Sequence, residues 1–187
     1  MKSFTKSFVV LFFLICAVST ASGIEYATDV LEKGNPGGNT ASLKTFDQKG
    51  IKDMGKEITL DVWIKDVPEE LITAGFWLTY DPSKVNIVKV DVYDGSTLPG
   101  PWDKEMTRQK SNPKGPGTYM VIVGNLGCIK PDKKGDVIVA KVQYSCQEKC
   151  TNPIEIMPVK DFDSVVGCEG KVFDTTIKPA AFTIHGK

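Results

Sequence analysis

Strict alternation of apolar and polar side chains over residues 57–93 constrains this chain more than any other feature. Ile58, Leu60, Val62 and Ile64 alternate with Thr59, Asp61, Trp63 and Lys65, and Phe76, Leu78 and Tyr80 alternate with Gly75, Trp77 and Thr79. A period of two sends successive side chains to opposite faces of a strand, so each stretch has one dry face and one wet face. Asp81-Pro82 supplies a turn before a third strand carried by Val88, Val90 and Val92, because proline fixes its own φ and pushes its predecessor out of the helical region. Sheets of this kind must cover their dry face with a second layer.

The rest of the chain reads the same way. Residues 118–125 are apolar on both faces and are expected to lie centrally in a sheet. Further strands are expected at 136–146, 154–157 and 181–185, with a hairpin over 165–173 around Gly167 and Gly170. Residues 24–56 are the least regular part, with a turn-rich run at 34–39 and a candidate edge strand at 41–46. Residues 66–71 are predicted to form one helical turn capped by Asp66. A long irregular connection follows over 94–116, interrupted by Pro99, Pro101 and Pro113. Eight or nine short strands without a helical period predict an all-β fold, an antiparallel β-sandwich.

Lys2 and Lys6 precede an apolar run at 8–18 and small residues at 19–23, the pattern of an export signal. The run is shorter than the roughly 20 residues that span a bilayer. Ile15 also stands where lipid attachment at Cys16 would want a small residue. Residues 1–23 are expected to be cleaved, with 24–49 as an N-terminal segment and 50–187 as the sandwich, secreted to an extracellular or periplasmic space. The 23 basic and 23 acidic residues balance, and loss of Lys2 and Lys6 leaves a net charge near −2. Without a basic run, nucleic acid and anionic lipid surfaces are not expected as partners.

Of five cysteines, Cys128, Cys146, Cys150 and Cys168 lie beyond the signal. In an exported chain they are expected to form disulfides, and more than one connectivity is open. Cys146 and Cys150 bracket a short polar turn, which favours that pair and leaves Cys128 with Cys168. A zinc site would want paired C-x2-C spacing or nearby histidines, and neither is present.

Four segments resemble the cohesin family. They are 58–67 with its Asp66-Val67-Pro68 step, 74–90 (A-G-F-W-L-T-Y-D-P-S-K-V-N-I-V-K-V), 135–142 (G-D-V-I-V-A-K-V), and 162–170 with its Phe-Asp-x-Val-Gly turn. The resemblance spans residues 50–187 and implies a jelly-roll sandwich that binds a partner protein through one sheet face in a polysaccharide-degrading assembly. Where dockerin-binding cohesins carry an asparagine and an aspartate toward the partner, this chain has Thr73 and Gly75, which cannot make the same contacts. The fold superfamily also includes carbohydrate-binding modules.

Few residues point to catalysis. His185 is the only histidine, no G-x-S-x-G, H-E-x-x-H or phosphate loop is present, and no two carboxylates are singled out by spacing. No enzyme activity is expected. Trp63 and Trp77 sit among the polar, outward positions of their strands, and Trp102 lies in the long connection. Either they form a platform that stacks on a sugar or anchors a protein, or the 94–116 connection or the N-terminal segment covers them. Asp91, Asp94, Asp132, Asp136, Asp161 and Asp163 lie at turns, which is compatible with calcium without defining a site. The expected function is a secreted, non-catalytic binding module for an extracellular protein, with a polysaccharide as the alternative partner.

Overall fold

The computed structural model describes residues 24–31, 57–148, 154–158 and 165–177. The expected export signal, the candidate strand at 41–46, the strand at 181–185, His185, Asp161, Asp163 and Cys150 lie outside the described residues. Among the described residues ten strands occur in this order: β1 Ile24–Leu31, β2 Glu57–Lys65, β3 Leu71–Tyr80, β4 Val85–Val92, β5 Arg108–Ser111, β6 Thr118–Ile129, β7 Val137–Cys146, β8 Ile154–Pro158, β9 Val165–Gly167 and β10 Thr175–Ile177. They form a back sheet in the order β10-β1-β2-β7-β4 and a front sheet in the order β5-β6-β3-β8, with β9 also pairing β3. All pairings are antiparallel except that of β1 with β10. The architecture is the expected jelly-roll sandwich.

The alternating residues behave as their period requires. Leu60, Val62, Ile64, Phe76 and Leu78 are all at most 1% exposed and fill the space between the sheets. Tyr26 reaches across that space: its ring lies 6.0 Å from Phe76, and its hydroxyl donates to the Gly75 carbonyl at 2.7 Å. A buried phenol needs such an acceptor, and burial pushes its pKa well up, so it stays a donor.

Four expectations need correction. Among the described residues the back sheet includes Ile24–Leu31, within the stretch read as an N-terminal segment, because β1 pairs β2 along seven residues. Residues 66–71 do not form a helical turn. Asp66 takes a left-handed φ of 57°, the Val67 amide donates to the Gly135 carbonyl, and Leu71 already opens β3. Aspartate tolerates that conformation better than most residues. The 94–116 connection is less irregular than expected, since Lys104–Met106 is a 3-10 turn and Arg108–Ser111 adds β5 to the edge of β6. Finally, Val88 does not point inward. The β4–β7 register shifts between Ile87 and Lys89, so Val88 is the bulged residue and 43% exposed.

The Asp81-Pro82 turn forms as predicted, with the Lys84 and Val85 amides donating to the Asp81 carbonyl. The Asp81 carboxylate accepts from the Ser83 hydroxyl at 2.6 Å and the Ser83 amide at 2.9 Å. These bonds hold its pKa below the usual carboxylate range. A depressed carboxylate adds stability above its unfolded pKa and loses it as pH falls through the folded value. Asp81→Ala is therefore expected to unfold earlier in urea at neutral pH. The gap from the parent should close progressively below about pH 4. A gap that stays constant into strong acid would show that the charge has no part in the turn.

Candidate functional site

The front sheet's outer face gathers residues that sequence order scatters. Across one row, Lys110 of β5, Met120 of β6, Trp77 of β3 and Met157 of β8 stand in register. The adjacent row carries Arg108, Ile122 and Gly75. Lys110 and Arg108 are exposed, Met120, Ile122 and Met157 are half-buried, and Gly75 and Trp77 are buried. Thr73 lies one step further along the same face, and its hydroxyl donates to the Val123 carbonyl at 2.7 Å. Beyond Ile122, Gly124 permits Met106 to pack flat on the sheet, where any Cβ would come within 2.9 Å of the Met106 terminal methyl. Met106 closes one end of the strip, and the β5–β6 turn closes the other. Gly117 belongs to that turn: it has a φ of 81° and lies against the Tyr80 carbonyl, where a side chain would collide.

The three tryptophans are not a platform. Trp63 is 3% exposed, Trp77 8% and Trp102 2%. Trp63 is on the back sheet and Trp77 on the front sheet, so the two rings cannot share a face. Trp63 stands in register between Ala27 of β1 and Ile138 of β7. The Trp102 indole N–H donates to the Ile138 carbonyl at 2.7 Å, and its amide donates to the Tyr93 carbonyl. Lys114, from the tail of the long connection, places its ammonium 4.8 Å from the Trp77 ring centroid. That position is a cation–π contact. The indole N–H groups of Trp63 and Trp77 are buried without an acceptor, which costs about 1–3 kcal/mol each.

The back sheet's outer face carries a charged row instead: Asp61, Lys141 and Asp91 are in register across β2, β7 and β4. Asp61 is fully buried and accepts the Tyr93 hydroxyl at 2.9 Å. Burial, together with the neighbouring Asp61 charge, pushes the Tyr93 pKa well up and keeps it protonated. Lys89 pairs Asp91 at 2.9 Å. This row is paired within itself and offers little to a ligand.

At one end of the sandwich, Cys128 and Cys168 form a disulfide. Cys146, at the end of β7, is buried. Glu69, Glu70, Cys168 and Glu169 line an open pocket of about 230 Å³ beside the disulfide. A Glu70 carboxylate oxygen lies within 4.8 Å of both sulfurs. Sulfurs joined in a disulfide are not thiolates, however, and do not hold a metal as zinc ligands do. Of the turn aspartates, Asp94 accepts from the Ser96 and Thr97 amides, and Asp132 from the Lys134 and Asp136 amides. These are turn-forming roles. Burial raises the Asp136 pKa, with Asp132 adding to the effect against nearby Lys65.

The front face was partly legible in sequence. The two-sided apolar character of residues 118–125 marked β6 as central, and that same feature puts Met120 and Ile122 on the outside. Met157 and the basic pair on β5 were missed, because β5 lies inside a stretch read as irregular.

No protein-family model and no curated protein matches this sequence. Among solved structures, the chain is similar to the sixth cohesin of scaffoldin B from Acetivibrio cellulolyticus, solved with a Cel5 dockerin. The TM-score is 0.55 at 12% identity, over 89% of this chain and 100% of that one. It is also similar to the cohesin module of a Clostridium perfringens family 33 glycoside hydrolase, with TM-score 0.55 and 13% identity over 88% and 98% of the chains. A type I cohesin–dockerin complex from Clostridium thermocellum gives TM-score 0.51 and 14% identity over 74% and 94%. The order of strands, their pairing into two sheets and these likenesses together give the chain a cohesin-like β-sandwich fold.

Proposed function

We propose that this chain is a secreted, non-catalytic module that holds another protein against the outer face of its front sheet. The strip of half-buried Met120, Ile122 and Met157 between the Met106 and Lys114 ends carries this reading, because apolar side chains on an otherwise polar sheet face suit a protein interface. The fold supports it, since two of the similar structures hold a cohesin together with a dockerin. Export is supported by the leader-like residues 1–23 and by the disulfide, which persists in oxidising compartments. Thr73 points its hydroxyl at its own sheet and Gly75 has no side chain, so the partner is recognised by packing on this strip rather than by hydrogen bonds from those two positions.

The polysaccharide alternative loses its footing, because none of Trp63, Trp77 and Trp102 offers a ring to a sugar. A pull-down of extracellular proteins on the immobilised chain tests the docking reading. A protein should be retained, and the double variant Ile122→Gln with Met157→Gln should weaken its binding about tenfold or more while leaving the urea midpoint near the parent's. Retention of polysaccharide alone, or of a protein indifferent to both substitutions, would count against it.

A further inference from the structure

We propose that Trp77 is a covered anchor on this docking face, and that an acidic segment of a partner protein uncovers it by drawing Lys114 off the ring. The inference rests on the docking reading and adds the chemistry of the partner. Three observations carry it. The Trp77 ring is 8% exposed, and its N–H is buried without an acceptor. The side chains in register beside it are Met120 and Met157, and the roof is Lys114. Thioether sulfur is at best a weak acceptor, and an ammonium is none. An acceptor brought by a partner would satisfy the indole N–H.

The roof is a single long side chain. Lys114 is exposed and sits on the β5–β6 turn, at the end of a four-carbon stem with many rotamers. With the ammonium drawn aside, the indole lies between two methionines, whose unbranched side chains repack readily around an incoming group. Tryptophan in such a setting is a common binding hot spot.

Charge selects the partner. Arg108 and Lys110 are exposed on the outer face of β5, next to Ile122 and Met120, and Lys114 adds a third cation. On the opposite flank the exposed charge on β8 is Glu155. A carboxylate arriving over β6 engages these cations and also supplies the acceptor that the indole N–H lacks. A basic segment or a neutral glycan does only part of this.

The test uses the full chain and two labelled amphipathic helical peptides, one of leucine and glutamate and its twin of leucine and lysine, followed by fluorescence anisotropy. The glutamate peptide should bind, more weakly as salt rises, and the lysine twin should not. Arg108→Glu with Lys110→Glu, both at exposed positions, should weaken binding about tenfold or more while the urea midpoint stays near the parent's. Trp77→Phe keeps a ring but loses the N–H and should weaken it several-fold. Equal binding of the twin, no binding of either peptide, or affinity untouched by these variants would overturn the proposal. So would self-association of the chain, or glycan retention, that Lys110→Glu abolishes. An extracellular protein released by Ile122→Gln with Met157→Gln but indifferent to Trp77→Phe and Lys110→Glu would leave the docking face standing and remove this inference alone.

Discussion

Replacing Cys128 and Cys168 together by serine is expected to lower stability by about 4 kcal/mol, from the loop-closure entropy of a bridge with sequence separation 40. Position strengthens the expectation. Leu71 at the start of β3 pairs Ile129 of β6 on one side and Gly167 of β9 on the other. Cys128 immediately precedes Ile129, and Cys168 immediately follows Gly167. The bridge thus joins the two neighbours across the first residue of the central strand. The Cys168 amide also donates to the Glu70 carbonyl, tying the same corner to the β2–β3 connection. Urea unfolding of the oxidised chain, the double variant and the parent with a dithiol reductant checks this. The last two should coincide. A loss below about 1 kcal/mol would mean that the unfolded chain already keeps these ends close.

Phe76→Ala is expected to cost about 3–5 kcal/mol, the usual range for emptying a buried aromatic site. Phe76 is fully buried near the middle of β3, with Val121 in register on one side and Pro158 on the other. Its loss also removes the ring against which Tyr26 packs. That undermines the inter-sheet hydrogen bond to Gly75. Near-UV circular dichroism should fall with the urea midpoint, because both aromatic environments change together. Val88→Ala is the matched control on the bulge of β4 and should stay within about 0.5 kcal/mol of the parent. Similar losses for the two variants would mean that Val88 faces the core as Phe76 does, contradicting the bulge.

The sandwich was legible because alternation is a local signal that the fold obeys almost residue for residue. Ile58 through Ile64 and Phe76 through Leu78 point where their period sends them. The misses have physical causes. The bulge at Val88 adds one residue to β4, and no sequence period announces such a slip. In β1, Ile24, Tyr26, Thr28 and Val30 alternate with Glu25, Ala27, Asp29 and Leu31, a short signal obscured by the turn-rich run at 34–39 that follows it. The β5 strand, Arg-Gln-Lys-Ser, carries no apolar residue at all. It is a strand because β6 offers an edge, and its charges suit a position where further pairing must be discouraged.

The tryptophans show the limit of reading a face from one strand. Their positions were correctly outward, yet outward does not mean wet. Lys114 reaches Trp77 from 37 residues further along the chain, and alternation within a strand carries no record of what a distant loop lays over it. The disulfide shows the converse. The short polar turn between Cys146 and Cys150 was a local clue, and it left Cys128 to Cys168, the pair that closes a corner of the structure.

Amide hydrogen exchange of the chain with and without a captured extracellular protein tests the docking account most directly. Slowed exchange is expected in the β5–β6 turn and along β3, β6 and β8, with β2, β4 and β7 unchanged. Protection confined to the back sheet, around β2 and β7, would contradict it.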